Sequence, residues 1–417
     1  MSGEIALVAA RFAVPARFVS SQPLAGGHIN ESYVLTFDDA GRRKRYLLQR
    51  INDAVFRDPP RLMENIRRVT VHIAARLRAE RTADIGRRVL TLVPARDGLP
   101  FVRDDAGAYW RMYCFIEEAC AYETVQSPQQ AEQAARGFGR FQRLLADLPP
   151  PRLHETIPNF HDTPRRFETL EATIAAAERG KPPDGPRRLA AARAEIERVR
   201  VQRGLASALL NLQRSGAAPE RVVHNDAKIG NVLFEGAEGG QRSSFGRAQP
   251  RAAVAHQPRA AVAHQPRAAV AHLPGAAVPG EALCVTDLDT VMPGLSLFDF
   301  GDMMRSMLCP AAEDERDLSH VEVQLPLFQA LARGYLSEAA EFLTRVEREH
   351  LVTAGLVITL EQAVRFLTDY LGGDTYYRTS RPKQNLDRCR TQLKLLESMQ
   401  EQAADMAAIV RQAGGRP

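Results

Sequence analysis

Arg221–Phe234 reads RVVHNDAKIGNVLF, and four polar residues in it set the chemistry: His224, Asp226, Lys228 and Asn231, in the pattern H-x-D-x-K-x-x-N. Phosphoryl transfer uses this spacing in its catalytic loop. That reaction depends mainly on positioning and charge neutralisation. A carboxylate such as Asp226 can orient an acceptor hydroxyl and take its proton. The amide oxygen of Asn231 is a hard, neutral ligand for Mg2+. Lys228, two residues after the base, can steady the moving phosphoryl group. Asn225-Asp226 alone is also ordinary turn chemistry. A turn does not call for Lys228 and Asn231 as well, so Asp226 and Lys228 are the expected catalytic pair.

The second stretch is Cys284–Gly294, CVTDLDTVMPG. An apolar strand ends in Asp287, and Asp289 follows two residues later on the same side of an extended chain. Asp287 sits where a second Mg2+ ligand belongs. Asp289 is a further ligand candidate, or a group that orients the first. Fifty-six positions separate Asn231 from Asp287, too many for a loop that must bring two ligands to one ion. The span 236–280 accounts for forty-five of them, and the eleven that remain suit a short hairpin.

That span stands apart on its own evidence of repetition. QPRAAVAH occupies Gln249–His256 and recurs at Gln257–His264 and Gln265–His272, and a degraded copy, LPGAAVPG, follows at Leu273–Gly280. Each unit holds a proline and no large apolar residue. It cannot bury enough surface to offset its ordering entropy, so 236–280 is expected to be a disordered insertion. His256, His264 and His272 recur because the unit recurs, not because a metal needs them. The span also explains the charge. It holds five arginines and one glutamate, a surplus of four within a net charge of +5. The remaining chain is close to neutral, which argues against a nucleic-acid partner.

Hydrophobic content of 45% and charged content of 25% are ordinary for a globular enzyme. No uninterrupted apolar stretch reaches membrane-spanning length, so no membrane partner is expected. The start, MSGEIALVAARF, lacks the pattern of a secretory signal. The five cysteines, Cys114, Cys120, Cys284, Cys309 and Cys389, are odd in number and lack C-x-x-C spacing. They fit a reducing compartment, the cytoplasm.

Periodicity divides the chain. Strands are predicted at Arg17–Leu24, Glu31–Phe37, Arg45–Ile51, Val89–Pro94 and Ala108–Ile116. One helix starts at Asp58-Pro59-Pro60, with Leu62, Ile66, Val69, Ile73 and Leu77 on one face. From Ser127 on, helices dominate: to Leu148, then Thr163–Arg179, Gly185–Leu212, Pro326–Tyr335, Ser337–Glu347, Leu360–Leu371 and Asn385–Gln412. A β-rich lobe over 1–118 and a helical lobe over 119–417, hinged near Phe115–Glu118, give an α+β class. Asp299-Phe300-Gly301 resembles a metal-binding triplet, but it lies at the start of a helix and is read as coincidence. Asp299 and Asp302 are expected to hold the catalytic loop's backbone.

The chain resembles the aminoglycoside phosphotransferase and choline kinase superfamily in HNDAKIGNVLF and VTDLDTVMPG. GGHINESY, YLLQRIN, FRDPPRLMENIRRVT, WRMYCFIE, IPNFHDTPRR, LFDFGDMMR and RFLTDYLGGDTYY resemble bacterial N-acetylhexosamine 1-kinases within it. The resemblance implies a protein-kinase-like two-lobed fold that uses ATP and Mg2+ on a small-molecule sugar. It implies that Gly26, Gly27, His28 and Asn30 cover the phosphates, although Gly26-Gly27 equally suits a plain hairpin turn. It implies a phosphate-gripping third-strand cation within RYLLQRI, where this chain offers only Gln49 or Arg50. Glu64 would pair with that residue, and Glu117 in the hinge would meet adenine through its backbone. His161, Asp162, Arg165, Arg305 and Tyr377 would line the sugar. Two rival readings remain: another alcohol acceptor, such as an aminoglycoside or a choline-like amine, and an inactive kinase-like scaffold.

Overall fold

Alternation builds the first sheet. Leu35 and Phe37 point into the core from one face of β2 (Glu31–Asp39), and Ser32 is buried on the opposite face. This strand lies between β1 (Arg17–Pro23) and β3 (Arg42–Arg50). β5 (Tyr109–Cys114) and the short β4 (Val102–Arg103) complete a five-stranded antiparallel sheet in the order β1-β2-β3-β5-β4. A computed structural model describes residues 2–24, 29–236 and 280–414. The octapeptide repeats and Gly26, Gly27 and His28 lie outside them. A short helix α1 (Ser2–Ala9) packs beside β1.

Helix α2 (Pro59–Ala79) begins as its sequence dictates. Asp58 accepts from the Arg61 amide at 3.1 Å, and prolines fill the first turn. Leu62, Ile66, Val69, Ile73 and Leu77 form its buried stripe. They share one cluster with Phe141 and Leu144 of α4 (Pro128–Leu145) and with Leu288 and Val291 beyond Asp287. One continuous core therefore anchors the candidate metal loop. The predicted strand at Val89–Pro94 is reduced to one bridge, Leu92 to Tyr113, beside a short helix α3 (Ile85–Arg88). Pro94 has no amide to extend a ladder.

Three short strand pairs frame the site. β6 (Ala119–Cys120), β8 (Val232–Glu235) and β9 (Ala282–Val285) form one sheet, and β7 (Arg221–Val223) pairs with β10 (Met292–Gly294). The remainder is helical. α5 (Thr163–Glu178) has its expected start, capped by Asp162. The single helix predicted over Gly185–Leu212 is instead α6 (Gly185–Ala191), α7 (Arg193–Val201), a 3-10 turn at Gln202–Leu205 and α8 (Ala208–Arg214). Gly204 and Ser207 disfavour continuation there; nothing in the sequence explains the break at Ala192. α9 (Ser296–Met307) contains Asp299-Phe300-Gly301, so that triplet is helical.

α10 (Leu325–Ala339) merges residues expected in two helices. Thr344 and Glu347 form a capping box that starts α11 (Arg345–Glu349). α12 (Leu351–Leu371) begins nine residues before the predicted start, because it is apolar on nearly every side and shows no periodic edge. By length and mean hydropathy, 1.4, it could cross a membrane, but Glu361, Arg365 and Asp369 interrupt its apolar run and 72% of that window is buried within the fold. α13 (Gln384–Glu401) and α14 (Ala403–Gly414) end the described chain.

Candidate active site

The catalytic loop is held from two sides. Asp299, in the first turn of α9, accepts the His224 amide at 2.9 Å and the Asn225 amide at 2.7 Å. Gln142 donates to the same carboxylate at 2.6 Å. Asn225 adopts the left-handed region, φ 65°, and its side chain donates to the Thr290 carbonyl at 2.9 Å. His161 closes the other side. Its Nε2 lies 3.1 Å from the Asn225 carbonyl and its Nδ1 lies 3.0 Å from Glu361. Both ring nitrogens are thus used within the protein, and His161 supports the loop instead of lining a sugar as the resemblance implied.

Within the loop, Lys228 Nζ donates to Asp226 Oδ2 at 2.7 Å, and Asn231 Nδ2 donates to the same oxygen at 3.0 Å and to the Asp226 carbonyl at 2.8 Å. Burial pushes the Asp226 carboxyl up, but the Lys228 ammonium, with His224 and Arg305, holds it well below the usual carboxylate range. Asp226 Oδ1 has no partner among the described residues. The segments that carry Asn231 and Asp287 meet through strand register. Val232 pairs with Val285, and the Thr286 amide donates to the Asn231 carbonyl at 2.8 Å, so Asp287 lies one residue past that contact. His224 Nε2 reaches the Thr286 carbonyl at 2.9 Å and ties the two stretches together.

The residues suit a hard divalent cation. Burial and the nearby Asp289 and Asp226 carboxylates push Asp287 up to about 6, an accumulation of negative charge that a cation relieves. The Asn231 amide oxygen is free of protein donors among the described residues. These residues hold no group of three or more His, Cys, Asp or Glu side chains fit for a metal. Mg2+ is commonly bound by one or two protein ligands, with phosphates and water completing its shell. Asp289 already has protein partners. Its Oδ1 is paired with Arg111 and its Oδ2 accepts from Asn30 at 2.6 Å, so both oxygens serve protein donors.

The small lobe departs most from expectation. Gln49 is no cation and hydrogen bonds to Ser32 and Arg111. Arg50 is exposed and pairs with Glu31 at 3.4 Å. Glu64 pairs with His154 at 2.9 Å, away from both, because the inward position on α2 belongs to Asn65, which bridges Val291 and His154. The Glu117 carboxylate is paired with Arg45, and its carbonyl accepts from Arg87 at 3.2 Å. That carbonyl is therefore already engaged within the protein. The buried cation of this region is Arg111, which sequence reading missed; its signal was a charge inside the apolar strand YWRMYC.

The model of the APH phosphotransferase enzyme family matches residues 20–243, more than half of the chain and inclusive of His224, Asp226, Lys228 and Asn231. The chain belongs to that family. In fold it is similar to a microcompartment-associated aminopropanol kinase, at 13% identity and TM-score 0.53, with 97% of this chain and 98% of that one covered. It is likewise similar to an aminoglycoside phosphotransferase from Alicyclobacillus acidocaldarius, at 14% identity and TM-score 0.50, with 97% and 96% covered. The protein is a small-molecule phosphotransferase with a kinase-like fold.

Beyond Asp226, this phosphotransferase presents a wall rich in arginine and tyrosine. Arg305 is electrostatically coupled to Asp226 and donates to Asp302 Oδ1 at 2.8 Å. Asp302 Oδ2 is buried without a partner, and Asp302 does not hold the catalytic loop as expected; Asp299 alone of the two does. Arg365 follows, its guanidinium 5.5 Å from the Phe160 ring centre and 5.6 Å from that of Tyr377. Burial and repulsion from Arg365 lower the Arg166 pKa. Tyr377 accepts from Gln362 at 3.3 Å and packs edge-on against Tyr376, which is 63% exposed. Asp162 accepts from the Arg165 amide at 3.0 Å as a helix cap, and the Arg165 side chain is exposed. Two further acids near this wall are committed: Glu361 to His161 and Thr163, Glu313 to Arg305 and Arg388.

Proposed function

We propose that this phosphotransferase moves the γ-phosphate of ATP to a hydroxyl of a sugar, the anomeric hydroxyl of an N-acetylhexosamine or hexose. The observation that carries the choice of acceptor is the charge of the wall beyond Asp226. Arg305, Arg365 and Arg166 leave no surplus of acid there. A cationic aminoglycoside or choline-like amine would find no net acidic charge there, whereas a sugar offers hydroxyls to guanidinium donors and a ring face to Tyr376 or Tyr377.

In this reading residues 1–118 hold the nucleotide and 119–417 the acceptor. Asp226 Oδ1 takes the proton of the attacking hydroxyl as its oxygen bonds to phosphorus and the bond to the bridging oxygen breaks. Lys228 fixes the orientation of that carboxylate and lends positive charge to the transferring group. Asn231 and Asp287 would hold Mg2+, which when bound offsets phosphate charge. The cytoplasm remains the proposed compartment, consistent with five free cysteines.

The test is an acceptor panel of free hexoses, N-acetylhexosamines, choline, ethanolamine and aminoglycosides. ADP release is measured, and the phosphorylated position is read by phosphorus NMR. Turnover confined to sugars, with an anomeric phosphate signal, is expected. Turnover on the amines but not the sugars overturns the reading. ATP binding without turnover on any acceptor favours an inactive scaffold.

A further inference from the structure

Arg111 is 1% exposed and lies on β5, directly opposite Gln49 of β3. Its Nε donates to Gln49 Oε1 at 3.0 Å, and its Nη1 is ion-paired with Asp289 Oδ1. The guanidinium also stands 5.4 Å from the Tyr113 ring centre. Its Nη2 has no hydrogen-bond partner among the described residues. It is not among the buried atoms that lack a partner, so this one amino group keeps contact with solvent while the rest of the guanidinium is enclosed. Burial works against the Arg111 charge, and Asp289, then Asp287, are among the groups that sustain it. Arg111 therefore lies within electrostatic reach of the candidate metal ligand while leaving one amino group uncommitted.

Paired residues on neighbouring antiparallel strands place their side chains on the same face, about 5 Å apart at Cβ. A long side chain at 111 can reach space that a cation at 49 would otherwise fill. The remaining contacts orient it. Gln49 is itself fixed by Ser32 at 3.0 Å. Asp289 Oδ2 accepts from Asn30 at 2.6 Å, and Asn30 in turn accepts the Asn52 amide at 3.0 Å.

We propose that Arg111 is the nucleotide-phosphate grip of this enzyme: Nη2 donates to a phosphate oxygen of the bound nucleoside triphosphate, Asp289 neutralises and aims the guanidinium, and Gln49 is its positioning partner. The grip has moved one strand across the sheet, and its acidic partner comes from the loop after β9 instead of from α2. This assignment rests on the kinase reading above and goes beyond it by naming the cation that the third strand lacks.

The experiment is calorimetric binding of ATP and of adenosine to the full chain, without acceptor. The variants are Arg111→Met, Arg111→Met/Asp289→Leu and Gln49→Lys/Arg111→Gln. The second removes both buried charges together, so a folded protein remains available if Asp289 cannot tolerate solitude; thermal unfolding checks each. Loss of one charge-assisted phosphate contact is expected to weaken ATP by about 10- to 100-fold, with adenosine affinity unchanged. The strand-swapped pair should recover part of the ATP affinity. Wild-type ATP affinity in either folded Met variant overturns the proposal, as does an equal loss for ATP and adenosine. A wild-type protein that binds no ATP defeats the kinase reading itself, a result distinct from either.

Discussion

Asp226 sits under opposing influences. Burial favours its neutral acid, and Lys228 with its neighbours keeps it ionised. An ionised carboxylate can accept a proton; an amide of the same shape cannot. Asp226→Asn should therefore cut kcat by about 10²- to 10⁴-fold while ATP binding persists, as read by steady-state kinetics beside calorimetry. Glu361 is a second case, and its task is support. Burial would raise its pKa, yet His161 and the Thr163 hydroxyl hold it below the ordinary range. A carboxyl depressed in the folded state adds stability above its unfolded pKa, and this is lost as pH falls. Glu361→Gln should thus cost about 2 kcal/mol at pH 7, and the gap from wild type should narrow as urea unfolding is repeated toward pH 4. The grouping of Asp226, Lys228 and Asn231 was legible from spacing because all three lie in one short segment. Arg111 was not legible, since its importance depends on Gln49 and Asp289, which are remote in the chain.

Elements place these residues, and α9 does most of it. Asp299 in its first turn receives the loop amides, while Gly301 lets α12 approach. A Cβ at 301 would stand 2.5 Å from the Ala354 carbonyl oxygen and 2.7 Å from Ile358 Cγ1. Backbone cannot yield as a flexible side chain does. Gly301→Ala should destabilise by about 1–3 kcal/mol, seen as a lower denaturation midpoint, with kcat falling if Asp299 shifts. Helices with a clear cap and stripe, such as α2 and α5, could be read directly from sequence. α12 could not be bounded, because burial on nearly all sides erases the periodic signal. The misassignment of Glu64 has a similar origin. The pattern of leucine, isoleucine and valine located the α2 stripe, but a polar residue, Asn65, shares that stripe and takes the inward place.

At the scale of the whole molecule, the hairpin of β8 and β9 joins the two halves of the site. The Glu235 amide donates to the Glu281 carbonyl at 2.9 Å, so the strands are already paired where residues 237–279 begin and end. Removing 237–279 leaves Gly236-Gly280 between them, a two-residue link of the kind hairpins favour. The deletion should retain kcat and KM with the preferred acceptor, measured side by side with the full chain. A large loss would mean that the span contributes to the site. The same hairpin explains why eleven residues, counted after setting the repeats aside, were enough to expect Asn231 beside Asp287.

The sequence by itself determined the reaction class, the two-lobed α+β fold and the adjacency of the segments that carry Asn231 and Asp287, because local spacing and strand register carry those properties. Only the tertiary structure decided which charges are spent on one another: Asp289 on Arg111, Glu64 on His154, His161 on Glu361. Those pairings join residues 90 to 200 positions apart. Whether a buried charge is left over for a ligand depends on the balance among such neighbours, which no single segment encodes.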